Sequence, residues 1–328
     1  MGPCEIQKGR IFEEIGRRLV KELDGSVKRN PADAILLSGG LDTSILAYLL
    51  SKRSKPTALT VVFEGAPASD LPYAELMARR LDLPHFVHTF GKDEFQEAVQ
   101  FVVKVMDSFD PMEVRNSVAI YEGLRRAREL GLNTVMTGDG CDELFAGYSF
   151  LYSLKLDELS SELQKVWSVM DFSSIHLAKA LGMEAKLPYL DPEFKHFAMK
   201  LDPILKVGKK DGKLWGKWIL RKAFEDVLPE DVVWRIKTPI ECGSGTTILP
   251  KLFDSLVSDA EFYDKKKKYL KEDGIKLRTK EQMYYYEVYR KVVGVPRRTN
   301  LKGKVCPYCN FDLPPISTHC RRCGAYPV

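Results

Sequence analysis

Ile11, Ile15, Leu19 and Leu23 recur every fourth position with charged residues between them, so the pattern predicts an amphipathic helix over residues 6–23, ended by the polar run DGSVKRNP. A short unbroken apolar run follows and reads as a buried strand over residues 32–37, then a helix over 43–53. The alternation continues: a strand over 56–63, a helix over 69–83 with Ser69 as its cap, a strand over 84–90, a helical region over 93–131 broken near FDPM, and a strand over 133–138. Strands separated by helices predict an α/β fold, an open parallel sheet with helices on both faces. Residues 150–300 read as mostly helical, with loop breaks at 187–193, 206–216 and 237–245. A basic linker, PRRTNLKGK, leads to a last compact piece, so two domains are expected, 1–300 and 301–328.

Composition narrows the class without naming a function. The 328 residues are 45% hydrophobic and 29% charged, ordinary for a soluble globular chain. No apolar run reaches the length of a membrane span, and MGPCEIQKGR lacks the apolar core of a signal peptide, so a cytoplasmic, non-membrane protein is expected. Ile6 stands where a myristoylation motif needs Ser or Thr. Seven cysteines, four of them within 18 residues, do not form a secreted disulfide framework. Residues 264–328 carry 16 Lys+Arg against 6 Asp+Glu, while the preceding part is mildly acidic. A basic tail suits either a solvated helix or a polyanionic partner.

The first candidate chemistry lies where the first strand ends. Residues 38–44 read S-G-G-L-D-T-S, five small or polar side chains between two hydrophobic elements. Ligands of open parallel sheets sit at the carboxyl ends of the strands. Gly39 and Gly40 allow a close backbone approach, and the amides opening the next helix favour an anion. Ser38, Thr43 and Ser44 add hydroxyls, which suits phosphate, while Asp42 makes sense if a divalent cation bridges it to that anion. The string is neither a Walker A sequence nor G-x-G-x-x-G. Asp139, Asp142 and Glu143 follow the fourth strand and reach the same rim, where carboxylates can hold Mg2+ or handle protons. Lys237 precedes a glycine-rich segment and could neutralise developing charge.

The string at 38–44 resembles the pyrophosphate-binding loop of the N-type ATP pyrophosphatases, which cleave ATP to AMP and pyrophosphate. Three later stretches resemble motifs of asparagine synthetases: TGDGCDELFAGY at 137–148, GMEAKLPYLD at 182–191 and LPEDVVWRIKTPIECGSG at 228–245. Their order and spacing extend the resemblance over residues 8–295, the synthetase domain shared with the β-lactam synthetases. It implies an adenine nucleotide alpha-hydrolase-like fold and an ATP-dependent amidoligase. A carboxylate such as aspartate would be adenylated and the adenylate attacked by ammonia or an amine. It also implies roles. Ser38, Gly39, Gly40, Leu41, Asp42, Thr43 and Ser44 would bind the pyrophosphate, and Leu37, Phe63, Thr137 and Gly138 would contact the nucleoside. Asp42 and Asp142 would hold Mg2+, Lys237 would be the transition-state cation, and Asp139 takes the place of a family Glu that assists the nucleophilic step. Glu184 and Asp191 are expected to be structural, with Asp191-Pro192 at a helix start.

Departures from the family pattern cluster toward the acceptor. Asp139 replaces Glu, Lys186 replaces Arg and loses its planar fork, Ile175-His176 replaces an Asp-Arg pair, and Ala146-Gly147-Tyr148 replaces Gly-Gly-Tyr. With the Ser38 loop so early in the sequence, no glutaminase domain is expected ahead of it, and Cys4 is not placed to be a glutaminase nucleophile. Nitrogen is therefore expected as ammonia, as an amine, or from a separate glutaminase.

Cys306-x2-Cys309 and Cys320-x2-Cys323, ten residues apart, make two turns that present four thiolates, a tetrahedral structural Zn2+ site in a zinc ribbon. A piece this short cannot bury enough core to fold without metal. His319 is expected not to be a ligand. Lys265 to Lys268, Arg297, Arg298, Lys302, Lys304, Arg321 and Arg322 form a basic arm suited to phosphates, and this opens a second reading. In it, a tRNA-modifying ATP pyrophosphatase docks RNA through the ribbon.

Overall fold

The computed structural model describes residues 3–298, 303–315 and 317–328, with side chains from residue 9 onward. Five strands, β1 (Ala34–Leu36), β2 (Thr57–Phe63), β3 (His85–Phe90), β4 (Thr134–Met136) and β5 (Glu184–Lys186), form one parallel sheet in the order β3-β2-β1-β4-β5. Strand β1 is central: Ala34 is in register with Thr57 on one side and with Val135 on the other. The chain order reverses between β1 and β4, so the loops leaving these two strands part and open a crevice at the carboxyl edge.

The helices, in chain order, are α1 (Pro3–Arg29), α2 (Leu41–Ser51), α3 (Leu71–Arg80), α4 (Lys92–Met106), α5 (Pro111–Glu129), α6 (Cys141–Leu144), α7 (Ser149–Tyr152) and α8 (Leu156–Ser168). They continue as α9 (Ser173–Ala180), α10 (Pro192–Lys200), α11 (Trp218–Phe224), α12 (Glu230–Val233), α13 (Ile240–Ser244), α14 (Leu249–Leu256), α15 (Asp259–Asp273) and α16 (Lys280–Val292). Successive strand residues point to opposite faces. Ala34, Leu59 and Val135 thus join a core with α4, α5, α9 and α16, while Ile35, Ala58 and Met136 join one with α1, α2, α3, α10 and α11. Both faces of the sheet are covered, which is why its strands read as apolar runs.

Four expectations change in detail. Helix α1 does not stop at Leu23 but runs to Arg29, because Val27 continues the buried stripe of Leu19 and Leu23. Its last turn is tied down: Ser26 Oγ donates to the Pro188 carbonyl at 2.6 Å, and Arg29 forks onto Asp191 at 2.5 and 2.9 Å. Ser69 does not cap α3, which begins at Leu71 after Asp70; the Ser69 hydroxyl instead donates to the Cys242 carbonyl at 3.2 Å. Residues 206–216 are not a plain loop break. They contain an antiparallel hairpin, β6 (Val207–Lys210) with β7 (Lys213–Gly216), closed by Asp211-Gly212 at φ of 51° and 80°. Two consecutive positive φ values are what a two-residue type I′ turn requires. Residues 184–186 pair with β4 as the edge strand β5, where Glu184 meets Lys186 at 2.6 Å. Asp191 does cap α10, accepting from the Phe194 amide at 3.3 Å.

The cysteine-rich end is a two-stranded ribbon, β8 (Lys304–Val305) with β9 (Asp312–Leu313). It is not a detached module: Leu313, Ala325 and the four cysteines share the α4–α5–α16 core.

Candidate active site

The β1–α2 turn is shaped by what stands behind it. Gly39 has φ of +65°, and a Cβ there would lie 2.3 Å from the backbone of Tyr73 and Ala74, so only glycine lets the turn seat against α3. Ser38 Oγ and Thr43 Oγ1 are 3.0 Å apart, and the Gly40 amide donates to Ser38 Oγ at 3.3 Å. No side chain caps the start of α2, so its first amides face the crevice with the positive end of the helix dipole. Arg235 clamps the turn from outside. It donates to the Ser38 carbonyl at 3.2 Å, to the Ser69 carbonyl at 2.9 Å and to Asp70 at 2.7 Å, with its guanidinium over the Tyr73 ring.

Across the crevice the β4–α6 turn brings Asp142 opposite Asp42, and one cation lies between them. Lys217, at the end of β7, places its Nζ 2.6 Å from Asp42 and 2.6 Å from Asp142. Lys237 approaches Asp142 at 2.7 Å from the other side. Burial alone would raise the Asp142 carboxyl, but the two ammonium groups hold it well below the usual carboxylate range. Burial alone would neutralise Lys217, but Asp142 and Asp42 keep its amine above the ordinary lysine range. Lys237 is raised in the same way, chiefly by Asp142 acting against burial. The pocket thus sets two ammonium groups, each held by carboxylates, beside a turn of amides and hydroxyls, donors that a phosphate group can meet together. Asp42 and Asp142 are hard oxygen donors of the kind a divalent cation takes, from loops on either side of the switch point, and in this structure the Lys217 ammonium fills the position between them.

Asp139 sits deeper on the same turn. Its Oδ2 accepts from Thr137 Oγ1 at 2.9 Å and from Ser174 Oγ at 2.5 Å. Burial pushes its carboxyl up despite those two bonds, which gives it the character of a proton acceptor. Burial likewise raises Glu143, which accepts from the Tyr148 hydroxyl at 2.5 Å.

These groups line one cavity of about 400 Å³. Leu37, Ser38, Gly40, Leu41, Asp42, Thr43, Thr137, Gly138, Asp139, Asp142 and Lys237 all face it. Three residues expected at the ligand stand behind its wall. Gly39 turns its back to α3, Ser44 is buried within α2, and Phe63 packs edge-on against Phe90 and Phe95 at 5.2 and 6.2 Å. Phe63 shares a strand face with Leu59 and Val61, which line the cavity, but its own ring packs into the α4 core. Sequence reasoning missed Lys217, and with it Glu113 and Asn116 of α5 and residues 171–173, all of which line the cavity. Lys217 has no local signature: it adopts φ of 56° between Gly216 and Trp218, and only the fold carries it to Asp42.

The four cysteine sulfurs lie within 4.8 Å of one another and all four residues are buried. Cys306 and Cys323 are 3.6 Å apart, as are Cys309 and Cys320, too far for disulfides. Thiolates about 2.3 Å from a central Zn2+ would be about 3.8 Å apart in a tetrahedron, so the sulfurs fit that ion. The Tyr308 amide points at Cys306 Sγ from 3.5 Å, and the knuckle turns close through Asn310 and Gly324 at positive φ. His319 instead approaches Asp110 at 3.5 Å. Part of the basic arm is engaged within the chain. Arg322 meets Asp107 and the Tyr289 hydroxyl, Arg321 meets Asp171, Lys265 meets Glu261 and Glu287, and Lys304 reaches the Ser317 and Val328 carbonyls. Arg298 meets Asp312 at 3.8 Å and the Gly303 carbonyl at 3.3 Å, Lys266, Lys267, Lys268 and Arg297 are exposed, Lys302 lies outside the described residues, and so does the Cys4 side chain. Among the described residues no helix is long and apolar enough to cross a membrane.

With this geometry in hand, the relatives are informative. The family model described as asparagine synthase matches residues 21–168 and 174–298. The glutamine-hydrolyzing asparagine synthetase of Triphysaria versicolor is 30% identical over 306 residues, 86% of this chain and 50% of its own. That of Sandersonia aurantiaca is 31% identical over 257 residues, 71% of this chain and 48% of its own. The Lotus japonicus enzyme 1 is 31% identical over 240 residues, 67% of this chain and 41% of its own. The chain therefore spans at most about half the length of these curated relatives. Among solved structures, NMN synthetase from Francisella tularensis aligns over 86% of this chain and 94% of its own, with a TM-score of 0.40 and 15% identity. On the match of the family model over most of its length, the chain belongs to the asparagine synthase family.

Proposed function

We propose that the chain is an ATP-dependent amidoligase that forms AMP and pyrophosphate. ATP lies along the carboxyl edge with its β- and γ-phosphates against the 38–44 turn. A carboxylate oxygen attacks the α-phosphorus, the bond to the β-phosphate oxygen breaks, and pyrophosphate leaves with an acyl-adenylate remaining. The nitrogen of ammonia or an amine then attacks the acyl carbon, loses a proton, and expels AMP. Lys217 and Lys237 oppose the charge that builds on the departing pyrophosphate. Asp139, with its raised carboxyl, is suited to take the proton from the attacking nitrogen. Mg2+ arriving with the nucleotide would be held by Asp42 and Asp142 and would add to the charge neutralisation. Zn2+ at the four cysteines would be structural, with no open position for chemistry.

The observation that carries this reading is the pair of ammonium groups converging on Asp142 beside an uncapped helix start. The acceptor is a small carboxylate of the aspartate type, and the nitrogen comes as ammonia, as an amine, or from a separate glutaminase. The RNA-docking reading is less favoured, since Arg322 turns inward to Asp107 and Arg321, though exposed, is engaged with Asp171. The test is a screen for AMP and pyrophosphate release over amino acids and other carboxylates, with ammonia, with amines and with tRNA. Release with a carboxylate and ammonia, abolished by Asp42→Ala, is the expected result. Release of inorganic phosphate and ADP, or a requirement for tRNA, would overturn it.

A further inference from the structure

Two stretches of this chain fall outside the matched family segments and meet in space: residues 169–173, skipped between 168 and 174, and the cysteine-rich end beyond 298. Arg321, inside the second knuckle, donates to Asp171 Oδ2 at 2.8 Å and to the Val169 carbonyl. Asp171, Phe172 and Ser173 line the cavity, and the next residue, Ser174, bonds Asp139. The same knuckle grips the α4–α5 junction through its backbone. The Phe109 amide donates to the Arg322 carbonyl at 2.7 Å and Ser108 Oγ to the Arg321 carbonyl at 2.8 Å. Asp110, which His319 faces, caps α5, and α5 presents Glu113 and Asn116 to the cavity. Gln282 and Arg278 hold the knuckle from below through the Cys323 carbonyl at 2.7 and 2.6 Å.

We propose that the metal-closed knuckle is a positioning element of the active site: Arg321 straps residues 169–173 against the cavity beside Asp139, so this wall, assigned here to the acceptor, depends on the ribbon while the ATP turn does not. The strap touches no residue of the 38–44 turn. Arg321 and Asp171 are each about half exposed, so a single bond between them is modest. The planar fork engages a carboxylate and a carbonyl together, a geometry that lysine's point charge cannot copy. The knuckle that carries Arg321 keeps its shape only while four thiolates share an ion. This assignment rests on the ligase reading for its kinetic consequence but not for its structural one.

The experiment uses the full zinc-bound chain and compares it with Arg321→Ala, Arg321→Lys and a chelator-treated sample. Amide hydrogen exchange is followed by mass spectrometry, together with zinc content and binding of a fluorescent ATP analogue with Mg2+. In Arg321→Ala the expected result is one zinc per chain, unchanged exchange over 306–325, and exchange over 169–176 about five- to tenfold faster, the size of losing a charge-assisted pair and a carbonyl bond. ATP-analogue affinity stays within about twofold, the exposed-site scale. Arg321→Lys restores at most part of the protection. Chelation reproduces the faster exchange at 169–176. With whichever carboxylate supports pyrophosphate release, KM for that carboxylate rises while KM for ATP holds. Unchanged exchange over 169–176 in Arg321→Ala overturns the proposal, as does a parallel rise in both KM values. If no carboxylate supports release, the ligase reading falls, and the exchange result still decides the strap.

Discussion

The β6–β7 hairpin is preceded by one buried lysine and followed by another, and the two are held in opposite ways. Lys217 lies between Asp42 and Asp142, and these carboxylates keep its amine above the ordinary range against the pull of burial. Lys206, fully buried, meets no carboxylate among the described residues. It donates to the carbonyls of Leu144 and Ala198, both at 2.8 Å, with the Trp167 ring 4.7 Å away. Burial pushes its amine down to about 7. A buried ammonium stays charged at neutral pH when countercharges meet it, and drifts toward the neutral form when only dipoles do. The first lysine is thus a permanent cation at the edge where phosphate chemistry would occur. The second ties α6 to α10 and so props the helix on which Asp142 stands.

The strongest way to break this contrast is Lys217→Met. Removing the ammonium leaves Asp42 and Asp142 facing each other with Lys237 still bonded to Asp142, and breaking a buried pair from one side costs about 3–5 kcal/mol. Urea denaturation should register that loss. Pyrophosphate release should fall by about 10²–10³, the scale of losing one preorganised donor to a developing oxyanion. A variant that keeps more than a tenth of the activity would remove Lys217 from the catalytic edge and make it a structural lysine like its neighbour across the hairpin.

Lys237→Met should separate function from stability. Its side chain is 34% exposed, and Asp142 keeps Lys217 as a partner when it goes. Stability should change by less than about 1 kcal/mol, as for a partly exposed pair. Activity should fall by about 10², carried by kcat, because the cation would act on charge present only in the transition state. A loss confined to KM for ATP would instead assign Lys237 to ground-state binding.

The comparison also marks what a linear reading can find. The 38–44 turn and the two Cys-x2-Cys knuckles are complete within short windows, so their chemistry is visible before any fold is known. The two-faced sheet is also legible, since its strands are apolar runs separated by helices. Lys217 is different: 175 residues separate it from Asp42, and its own neighbourhood, KLWGKWIL, says only that a helix follows. The Asp211-Gly212 pair did carry a hairpin signal, flanked by two short segments too lysine-rich to look like strands. Phe63 packs against Phe90 and Phe95 although Leu59 and Val61 on the same strand face line the cavity, so its place could not be read from strand parity alone. The strap from Arg321 to Asp171 joins two stretches 150 residues apart, and nothing local in either announces the other.

The smallest expected effect concerns Lys206, and its sign is diagnostic. The folded-state amine sits near 7 against an ordinary value of 10.5, so between those values the unfolded chain binds more protons than the folded one. Stability attributable to Lys206 must then rise with pH across that window. Below about pH 7 both states carry the proton and the cost of burying the ammonium is fully present. The two carbonyl bonds favour the charged form and temper the slope, so a rise of about 1–2 kcal/mol from pH 7 to 9 is expected. Lys206→Met removes the titrating group while leaving the Leu144 and Ala198 carbonyls without their donor. Chemical denaturation of both proteins across that range isolates the term as a difference, because every other titrating group is common to both. The difference should shift in favour of the parent chain as pH rises. A difference that stays flat would mean that Lys206 remains charged beside its carbonyls, and that dipoles alone can hold a buried ammonium as firmly as the carboxylates hold Lys217.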